Sequence, residues 1–382
     1  MSERGSADVV RTLDEAAATE REPLLVLEPL EAFLDGNGIG VGPISATAIG
    51  DGHSNVTYSL RRGSARVVLR RPPRGPLPPS AHDVLREARL LAGLRPAGVR
   101  VPEVLCTCDD ERVIGAPFYV MSYLDADVIM DRLPAALAER IEERATVGHE
   151  LVDALAELHA VDLVESGLDS FGAPSGYLER QVRRFRGLLE VNATRPLPLL
   201  EQVADWLEQN RPDSPATTVV HGDYRLGNVM FALDGDGTDG GAAGSSATGG
   251  ASLGSAASPR LVAILDWELA ALGDPLADLG YLTAMWAQPG DRPNPMLDLG
   301  AVTREPGFGT PDQLIRRYAE RTGYDTGALA WYQTLAIWKS AIFLEGSYKR
   351  HLAGSTDDPY FARLGEGVPL LAEWAWERAQ GA

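Results

Sequence analysis

Two short segments of the sequence place acidic or amide side chains next to apolar runs. The first, HGDYRLGN at 221–228, carries Asp223 five residues before Asn228. The second, ILDWE at 264–268, follows an apolar run and contains Asp266. A carboxylate at the end of a buried strand is a suitable ligand for a hard cation that bridges phosphate oxygens. Each segment alone is typical of a turn or a cap, but their joint occurrence favours a catalytic site.

A compositionally biased segment separates these two motifs. Residues 234–260 consist almost wholly of Gly, Ala, Ser, Thr and Asp. Such a composition cannot offset the entropy of ordering the chain, so we predict a disordered insertion. Without it, residues 229–233 and 261–266 become neighbouring strands of a hairpin. This arrangement allows Asn228 and Asp266 to converge on one ion.

The spacing of Asp223 and Asn228 is that of a kinase catalytic loop. In such a loop the aspartate accepts the substrate hydroxyl proton and the asparagine holds a magnesium ion. From about residue 44 to its C-terminal helices, the sequence resembles the aminoglycoside phosphotransferase family, a branch of the protein-kinase-like fold. The most specific matches are HGD…N at 221–228 and ILDWE…GDP…DL at 264–279. The branch that it resembles most is similar to the kinase-like domain fused to acyl-CoA dehydrogenases in animals.

The resemblance implies a role for each of these side chains. Asp223 is expected to be the catalytic base or the group that positions the acceptor hydroxyl. Asn228 and Asp266 are expected to bind Mg²⁺. His221 is expected to support the loop by packing and hydrogen bonding, and Asp278 to brace the loop backbone.

The N-terminal part of the sequence is expected to hold the nucleotide. Residues 49–55, IGDGHSN, lie between two predicted strands like a kinase glycine-rich loop. Gly50 and Gly52 would let backbone N–H groups approach phosphates, and Ser54 could add a hydroxyl. Asn55 stands in place of the third glycine of such a loop, and an ordinary hairpin turn is the alternative.

Further nucleotide contacts are expected from two strands and a helix. Arg70 stands where the phosphate-binding lysine is usual, and an arginine stays charged and can bind phosphate through two N–H groups. Glu87 is predicted to pair with Arg70, the alternative being a solvated helix glutamate. As the resemblance implies, backbone groups of Ser122 and Leu124 would contact adenine, which leaves ATP and GTP undistinguished.

Hydrophobic periodicity predicts an α+β fold. The predicted strands and helix of the first part are 45–49, 56–61, 66–70, 81–94 (helix), 103–108 and 118–123. Residues 1–123 are therefore predicted to form a small antiparallel nucleotide-binding lobe, with a flexible segment at 1–22. Residues 124–382 are predicted to form a mostly helical catalytic and substrate lobe, with one long helix from 137 to 158. Together they give a two-lobed, protein-kinase-like fold.

Composition excludes several classes of protein. The chain has 35 basic and 54 acidic residues among 382, a net charge of −19, which argues against binding to nucleic acid. No apolar stretch is long enough to span a membrane, and no secretory signal is visible. Cys106 and Cys108 alternate along a predicted strand, point to opposite faces and are not expected to bridge. We therefore expect a cytoplasmic protein.

The sequence predicts a small-molecule kinase that moves the γ-phosphoryl group of Mg-ATP or Mg-GTP to a hydroxyl. A non-catalytic nucleotide-binding scaffold is the alternative, motivated by Arg70 and by the missing third glycine. A protein kinase is a weaker alternative, because the segment after Asp266 is too short for a long activation loop. The sequence specifies neither the acceptor nor the oligomeric state, and a role in antibiotic resistance does not follow from the family name.

Overall fold

The computed structural model describes residues 8–50, 55–75, 82–233, 258–355 and 359–381. Its residues divide into two units. The first unit comprises 1–97 and 101–124, and the second comprises 98–100 and 125–382. This division falls next to residue 123, where the sequence predicts the end of the first lobe.

The first unit is built on a five-stranded antiparallel sheet, as predicted. Its elements are β1 (Val9–Val10), α1 (Leu13–Ala17), β2 (Leu25–Val26), α2 (Leu27–Gly36), β3 (Ser45–Ile49), β4 (Val56–Arg62), β5 (Ala65–Arg71), α3 (Val84–Leu94), β6 (Val104–Cys108) and β7 (Phe118–Ser122). The strand order is β3-β4-β5-β7-β6. The two cysteines of β6 are free thiols, as predicted.

Strand β5 shows how the sheet separates core from site. Val67 and Leu69 pack into the apolar core with Leu30 and Leu34 of α2. Arg71 lies on the same face, buried, and its guanidinium donates to the carbonyl of Ile114 at 3.0 Å. Because side chains alternate along a strand, Arg70 points to the other face. Arg70 therefore lies outside this apolar core.

Residues 8–22, part of the segment 1–22 that the sequence predicts to be flexible, include β1 and α1; residues 1–7 lie outside the described ones. Strand β1 pairs in parallel with β2, with Val9 opposite Leu25. A capping box then starts α1. The Thr12 hydroxyl accepts from the backbone N–H of Glu15 at 3.1 Å, and the Glu15 carboxylate accepts from that of Thr12 at 3.2 Å. The T-x-x-E pattern predicts such a helix start.

The second unit is mostly helical, with three short β-ladders. Its elements are β8 (Asp127–Val128), α4 (Ala135–Ala138), α5 (Arg144–His159), α6 (Tyr177–Asn192), α7 (Pro198–Gln209), β9 (Thr218–Val220), β10 (Val229–Ala232), β11 (Arg260–Ile264), β12 (Ala271–Gly273), α8 (Leu276–Ala284), α9 (Pro295–Asp298), α10 (Pro311–Thr322), α11 (Leu329–Leu352) and α12 (Pro359–Gln380). The predicted hairpin is confirmed, because β10 and β11 pair antiparallel and β8 joins them. Most of the predicted insertion, residues 234–257, lies outside the described residues.

The predicted long helix from 137 to 158 is wrong. The chain instead forms α4, a 3₁₀ turn at Ile141–Glu143, and α5. The cause is Arg144, a buried side chain whose guanidinium donates to the carbonyls of Leu137 and Ala138 at 3.1 and 2.6 Å. In a continuous helix, those carbonyls would accept from residues 141 and 142. The buried arginine therefore replaces one turn of helix.

Helix α11 forms the core of the second unit and packs on α8 and α12. Trp331 and Trp338 are buried along it, and their indole N–H groups donate to carbonyls of α7. The aromatic residues of this helix were predicted to be core, and these two are. Phe343, of the same helix, is in contrast 40% exposed. None of the helices formed by the described residues is long and apolar enough to cross a lipid bilayer.

Candidate active site

The predicted catalytic loop, residues 221–228, connects β9 to β10 and is fixed by a carboxylate on α8. Asp278 accepts from the backbone N–H groups of His221 and Gly222, at 2.7 and 2.8 Å. Gly222 has a φ of +86°, and a Cβ there would lie 2.8 Å from the carbonyl oxygen of Leu269. Glycine is therefore required at this turn. The predicted bracing role of Asp278 is confirmed.

Asp278 belongs to a buried chain of polar groups. His159 of α5 is 3.3 Å from Asp278 through Nε2, and its Nδ1 is 2.6 Å from the Tyr318 hydroxyl. Burial raises the pKa of Asp278, but the hydrogen bond and charge of His159 act the other way, and the pKa lies below its usual value. Asp278 is thus an ionised carboxylate that holds two loop N–H groups.

His221 uses both ring nitrogens inside the protein. Nε2 donates to the carbonyl of Leu265 at 2.7 Å, and Nδ1 accepts from the backbone N–H of Asp223 at 3.2 Å. Its ring packs 4.7 Å from that of Trp267. A proton carrier would need one nitrogen facing the substrate. The geometry therefore agrees with the predicted supporting role.

Asn228 links its side chain to the proposed catalytic aspartate. Its amide nitrogen donates to the Asp223 carbonyl at 2.9 Å and to Oδ2 of the Asp223 carboxylate at 2.7 Å. Nε of Arg225 lies 3.5 Å from Oδ1 of Asp223, and the Asp223 side chain is 22% exposed. The carboxylate is thus oriented from its own loop and can still be reached by a bound molecule.

Asp266 lies across the β10–β11 ladder from Asn228. Val229 is opposite Ile264 in the ladder, and the backbone N–H of Leu265 donates to the carbonyl of Asn228 at 2.8 Å. Asp266 follows in the left-handed region, with a φ of +63°. Aspartate is one of the few non-glycine residues that tolerate this region, and such positions cluster at functional sites.

The donor set at this point suits Mg²⁺ better than a transition metal. The amide nitrogen of Asn228 is used by Asp223, which leaves its oxygen to face a cation, and Asp266 supplies a carboxylate. Among the described residues, no group of three or more His, Cys, Asp and Glu side chains could hold a metal. Mg²⁺ is commonly held by one or two oxygen ligands, with substrate phosphates and water completing the shell.

In the first unit, Arg70 and Glu87 form the pair that the sequence predicts. Arg70 Nε donates to Glu87 Oε2 at 3.0 Å, and these side chains are only 12% and 3% exposed. The hydroxyl of Tyr119 donates to Glu87 Oε1 at 3.0 Å. Glu87 is therefore held on both oxygens, and it fixes the direction of the Arg70 guanidinium.

The glycine-rich loop is only partly described. Gly50 follows β3 with a φ of +86°, and a Cβ there would meet no atom of the described residues within 4 Å. The Asn55 side chain is buried, and its Oδ1 accepts from Nδ1 of His82 at 3.1 Å. Gly52 and Ser54 lie outside the described residues.

The predicted adenine contacts lie at the end of β7. The backbone N–H of Ser122 donates to the carbonyl of Glu103 at 2.8 Å, and its hydroxyl accepts from the N–H of Glu103 at 3.0 Å. The N–H of Ser122 is therefore committed to the protein. The backbone groups that the prediction still offers to adenine are therefore the Ser122 carbonyl and the N–H of Leu124.

The structure adds residues that the sequence did not single out. Tyr119 bonds Glu87 from the neighbouring strand, Arg225 faces Asp223, and two helix residues, Tyr281 and Lys339, also act electrostatically on Asp223. Only the scarcity of lysine in the chain could have drawn attention to Lys339. The other three have no sequence signal of their own.

The sequence profile of the phosphotransferase enzyme family matches residues 45–240 and 255–332, more than two thirds of the chain. The chain belongs to this family. The match leaves out 241–254, within the segment predicted to be an insertion. Members of the family share a protein-kinase-like fold, and the antiparallel sheet and helices of the two units have that architecture, as predicted.

Two relatives are similar over most of the chain. Acyl-CoA dehydrogenase family member 10 of Mus musculus is 32% identical over 356 residues, which are 92% of this chain and 31% of that protein. Family member 11 of Rattus norvegicus is 32% identical over 91% of this chain and 42% of its own length. The chain therefore spans less than half of these relatives.

Solved structures give the same family and fold. A candidate aminoglycoside phosphotransferase from Ralstonia eutropha is 28% identical, with a TM-score of 0.74 over 93% of this chain and 98% of that one. A thermostable mutant of an aminoglycoside phosphotransferase, in complex with AMP-PNP and hygromycin B, is 16% identical, with a TM-score of 0.53 over 93% and 97%. At that identity, the second comparison shows the fold alone.

Proposed function

We propose that this phosphotransferase moves the γ-phosphoryl group of Mg-ATP or Mg-GTP to a hydroxyl of a small molecule. The observation that carries the proposal is the loop at 221–228, on which Asp223 is hydrogen-bonded to Asn228, while Asp266 lies two residues after β11, the strand paired with β10. Phosphoryl transfer needs these groups, because catalysis is almost entirely positioning and stabilisation of charge.

In the proposed reaction Asp223 orients the acceptor hydroxyl. The acceptor oxygen forms a bond to the γ-phosphorus, the bond from that phosphorus to the β,γ-bridging oxygen breaks, and the nucleoside diphosphate leaves. The acceptor proton passes to the Asp223 carboxylate. Asn228 holds one oxygen of that carboxylate at 2.7 Å, so the side chain need not be ordered during the step.

Asn228 and Asp266 would hold Mg²⁺. When bound, the ion would stabilise negative charge on the β- and γ-phosphate oxygens. The oxygen-only donor set fits this ion. The short link through the Asn228 carbonyl and the Leu265 N–H keeps the two ligands on adjacent backbone segments.

Arg70 is proposed to bind nucleotide phosphates in place of the usual lysine. Its partner Glu87 is 3% exposed and is hydrogen-bonded by Tyr119. Because Glu87 is held in place, it fixes the position and orientation of the Arg70 guanidinium. At Gly50, the absence of a side chain would let a backbone N–H group come close to the phosphates. The Ser122 carbonyl and the Leu124 N–H would contact the base. Nucleotide use is supported by the structural neighbour that was solved with AMP-PNP.

The acceptor is proposed only as a small molecule with a hydroxyl group. One structural neighbour was solved with hygromycin B and another with spectinomycin. Those two proteins are 16% and 13% identical to this chain. At identities this low, the comparison supports a common fold but does not indicate which acceptor this chain uses.

Calorimetric titration of the full chain with ATP and GTP, each with and without Mg²⁺, tests the proposal. Asp266→Ala is expected to weaken Mg²⁺-dependent nucleotide binding at least about tenfold. Asp205→Ala is the matched control, because Asp205 is an exposed aspartate that pairs with Arg186 on a helix surface. Binding that is unchanged in Asp266→Ala would remove Asp266 from the metal site.

A non-catalytic nucleotide-binding scaffold is the second candidate. The observation that favours it is Arg70, which stands in place of the usual lysine. A guanidinium binds phosphate in fixed directions, whereas a lysine ammonium is a compact point charge. Turnover distinguishes the two. Nucleotide binding together with no Asp223-dependent release of nucleoside diphosphate, with water or any tested hydroxyl acceptor, would favour the scaffold.

A further inference from the structure

Arg225 lies on the loop at 221–228, between Asp223 and Asn228. Its backbone is extended, and its carbonyl accepts from the N–H of Asn228 at 2.9 Å. Its side chain reaches Asp223, with Nε 3.5 Å from Oδ1 of the carboxylate, and is 19% exposed. A permanent positive charge therefore lies beside the proposed catalytic aspartate and can be reached by a bound molecule.

The guanidinium of Arg225 stands at this place without protein hydrogen bonds that would account for it. Nη1 is buried and has no hydrogen-bond partner among the described residues. Nε, at 3.5 Å from Oδ1 of Asp223, is beyond the range of a good hydrogen bond. The buried guanidinium of Arg71, in contrast, donates to three backbone carbonyls. Because burial of a polar group without a partner is unfavourable, folding alone does not explain the position of Arg225.

Gly227 makes room for this guanidinium. A Cβ at Gly227 would collide with Nη1 of Arg225 and would lie 3.4 Å from its Cζ. A larger residue at 227 would therefore displace the charged group from its place beside Asp223. The loop thus carries both an arginine and the space that the arginine needs.

The Asp223 carboxylate is oriented by groups other than Arg225. Its Oδ2 accepts from the side chain of Asn228 at 2.7 Å, and its side chain is also hydrogen-bonded to that of Tyr281 on α8. Arg225 is therefore not needed to hold the carboxylate in place. Its charge is available to a group that approaches the Oδ1 side of Asp223.

The proposed reaction brings a negatively charged group to this side of Asp223. The acceptor hydroxyl must lie within about 2.6–3.2 Å of the carboxylate, and the γ-phosphorus within about 3–3.5 Å of the hydroxyl oxygen. A phosphoryl group at that distance is within reach of a guanidinium whose Nε is 3.5 Å from Oδ1. An arginine can bind two phosphoryl oxygens through parallel N–H groups and stays charged at all working pH values.

Resting on the proposed function, we propose that Arg225 is a catalytic residue, whose guanidinium donates to oxygens of the γ-phosphoryl group during transfer. The guanidinium gives up no proton, and the bonds that form and break are those from phosphorus to the acceptor oxygen and to the bridging oxygen. Arg225 stabilises the negative charge of the transferring group, as an arginine supplied from the same chain does in some other phosphoryl-transfer enzymes.

The first test measures hydrolysis of Mg-ATP by the full chain, with water as the acceptor. Arg225→Met removes the charge, so we expect kcat to fall at least about 100-fold. The KM for ATP should stay within about threefold, since the charge acts on the group in transfer. Arg186→Met is the matched control and should behave as the wild type, because Arg186 pairs with Asp205 on a helix surface.

The second test displaces the guanidinium without removing it. Gly227→Ala places a methyl group against Nη1 of Arg225, so kcat should fall about tenfold. In Arg225→Met the same alanine should have no further effect, because no guanidinium is left to displace. Additive losses overturn the proposal. Gly187→Ala is the matched control, since a Cβ at Gly187 would meet no atom of the described residues within 4 Å.

The third test examines the phosphoryl position without turnover. Calorimetry compares the binding of Mg-ADP alone with that of Mg-ADP and aluminium fluoride, which imitates the transferring phosphoryl group. The wild type should bind the second combination at least about tenfold more tightly. Arg225→Met should lose most of this gain, while its Kd for Mg-ADP alone stays within about twofold of the wild type, which also shows that the variant is folded.

The outcomes separate the role of Arg225 from the proposed function. Asp223-dependent hydrolysis in the wild type, together with a wild-type kcat in Arg225→Met, overturns the role of Arg225 and leaves the proposed function intact. An Arg225→Met variant that keeps the whole gain from aluminium fluoride also overturns the role of Arg225. A wild type without Asp223-dependent hydrolysis of ATP overturns the proposed function and the role of Arg225 with it.

Discussion

Replacing Asp278 by asparagine isolates the contribution of one buried carboxylate to the catalytic loop. Asp278 is 0% exposed and accepts from the backbone N–H groups of His221 and Gly222 at 2.7 and 2.8 Å. Asparagine has the same shape, one acceptor oxygen and one NH₂ donor. In Asp278→Asn, one of the two loop N–H groups therefore faces another donor at a site buried from solvent.

The magnitude follows from these contacts. A hydrogen bond to a charged group contributes about 1.5–3 kcal/mol, and a buried unpaired donor costs about 1–3 kcal/mol. We therefore expect the free energy of unfolding to fall by about 3–5 kcal/mol. At roughly 3 °C per kcal/mol for a domain of this size, Tm falls by about 9–15 °C.

Thermal unfolding followed by circular dichroism at pH 7 measures this effect. Asp205→Asn, at an exposed ion pair with Arg186, is the control and should melt within about 2 °C of the wild type. Because the pKa of Asp278 is lowered in the folded protein, its contribution is present above the unfolded value, near 4, and is lost as pH falls further. A drop in Tm no larger than that of the control would refute the reasoning.

Three other measurements test separate parts of the site and core. Asp223→Asn is expected to lower turnover at least about 100-fold with nucleotide Kd unchanged within twofold; turnover near that of the wild type would remove Asp223 from the mechanism. Glu87→Gln removes the charge that aligns Arg70 and should raise the KM for ATP about tenfold; an equal KM contradicts a nucleotide role for the pair. Burial raises the pKa of Cys106 to about 11, so iodoacetamide at pH 8 should react at least about tenfold more slowly with native than with urea-unfolded protein; equal rates contradict that burial.

Local patterns were sufficient to predict most of the sheet and the centre of the site. Alternation of apolar residues predicted β3 with its bounds, and β4 and β5 to within one residue. The pairing of Asn228 with the strand before Asp266 was also predictable, because removing a segment of biased composition leaves two β-strands with complementary ends. In these cases the sequence neighbours of a residue determine its structure.

The break between α4 and α5 had no local signal. The apolar residues from 137 to 158 keep helical spacing across it, and only the burial of Arg144 against α4 carbonyls ends the helix. Tyr119 and Lys339 were missed for the same reason. Tyr119 of β7 donates to Glu87 of α3, and Lys339 lies in a helix more than 100 residues after the 221–228 loop. Such contacts depend on the packed fold and not on the spacing of residues.

The β10–β11 ladder also makes the chain divisible. Ala232 is paired with Arg260, so the two ends of the connecting segment lie side by side. Loops of this kind tolerate insertion and circular permutation. Cutting there would put Asp223 and Asn228 on one fragment and Asp266 on the other. Phosphoryl transfer would then report the reassembly of two polypeptides, which makes this loop the natural place for a split enzyme.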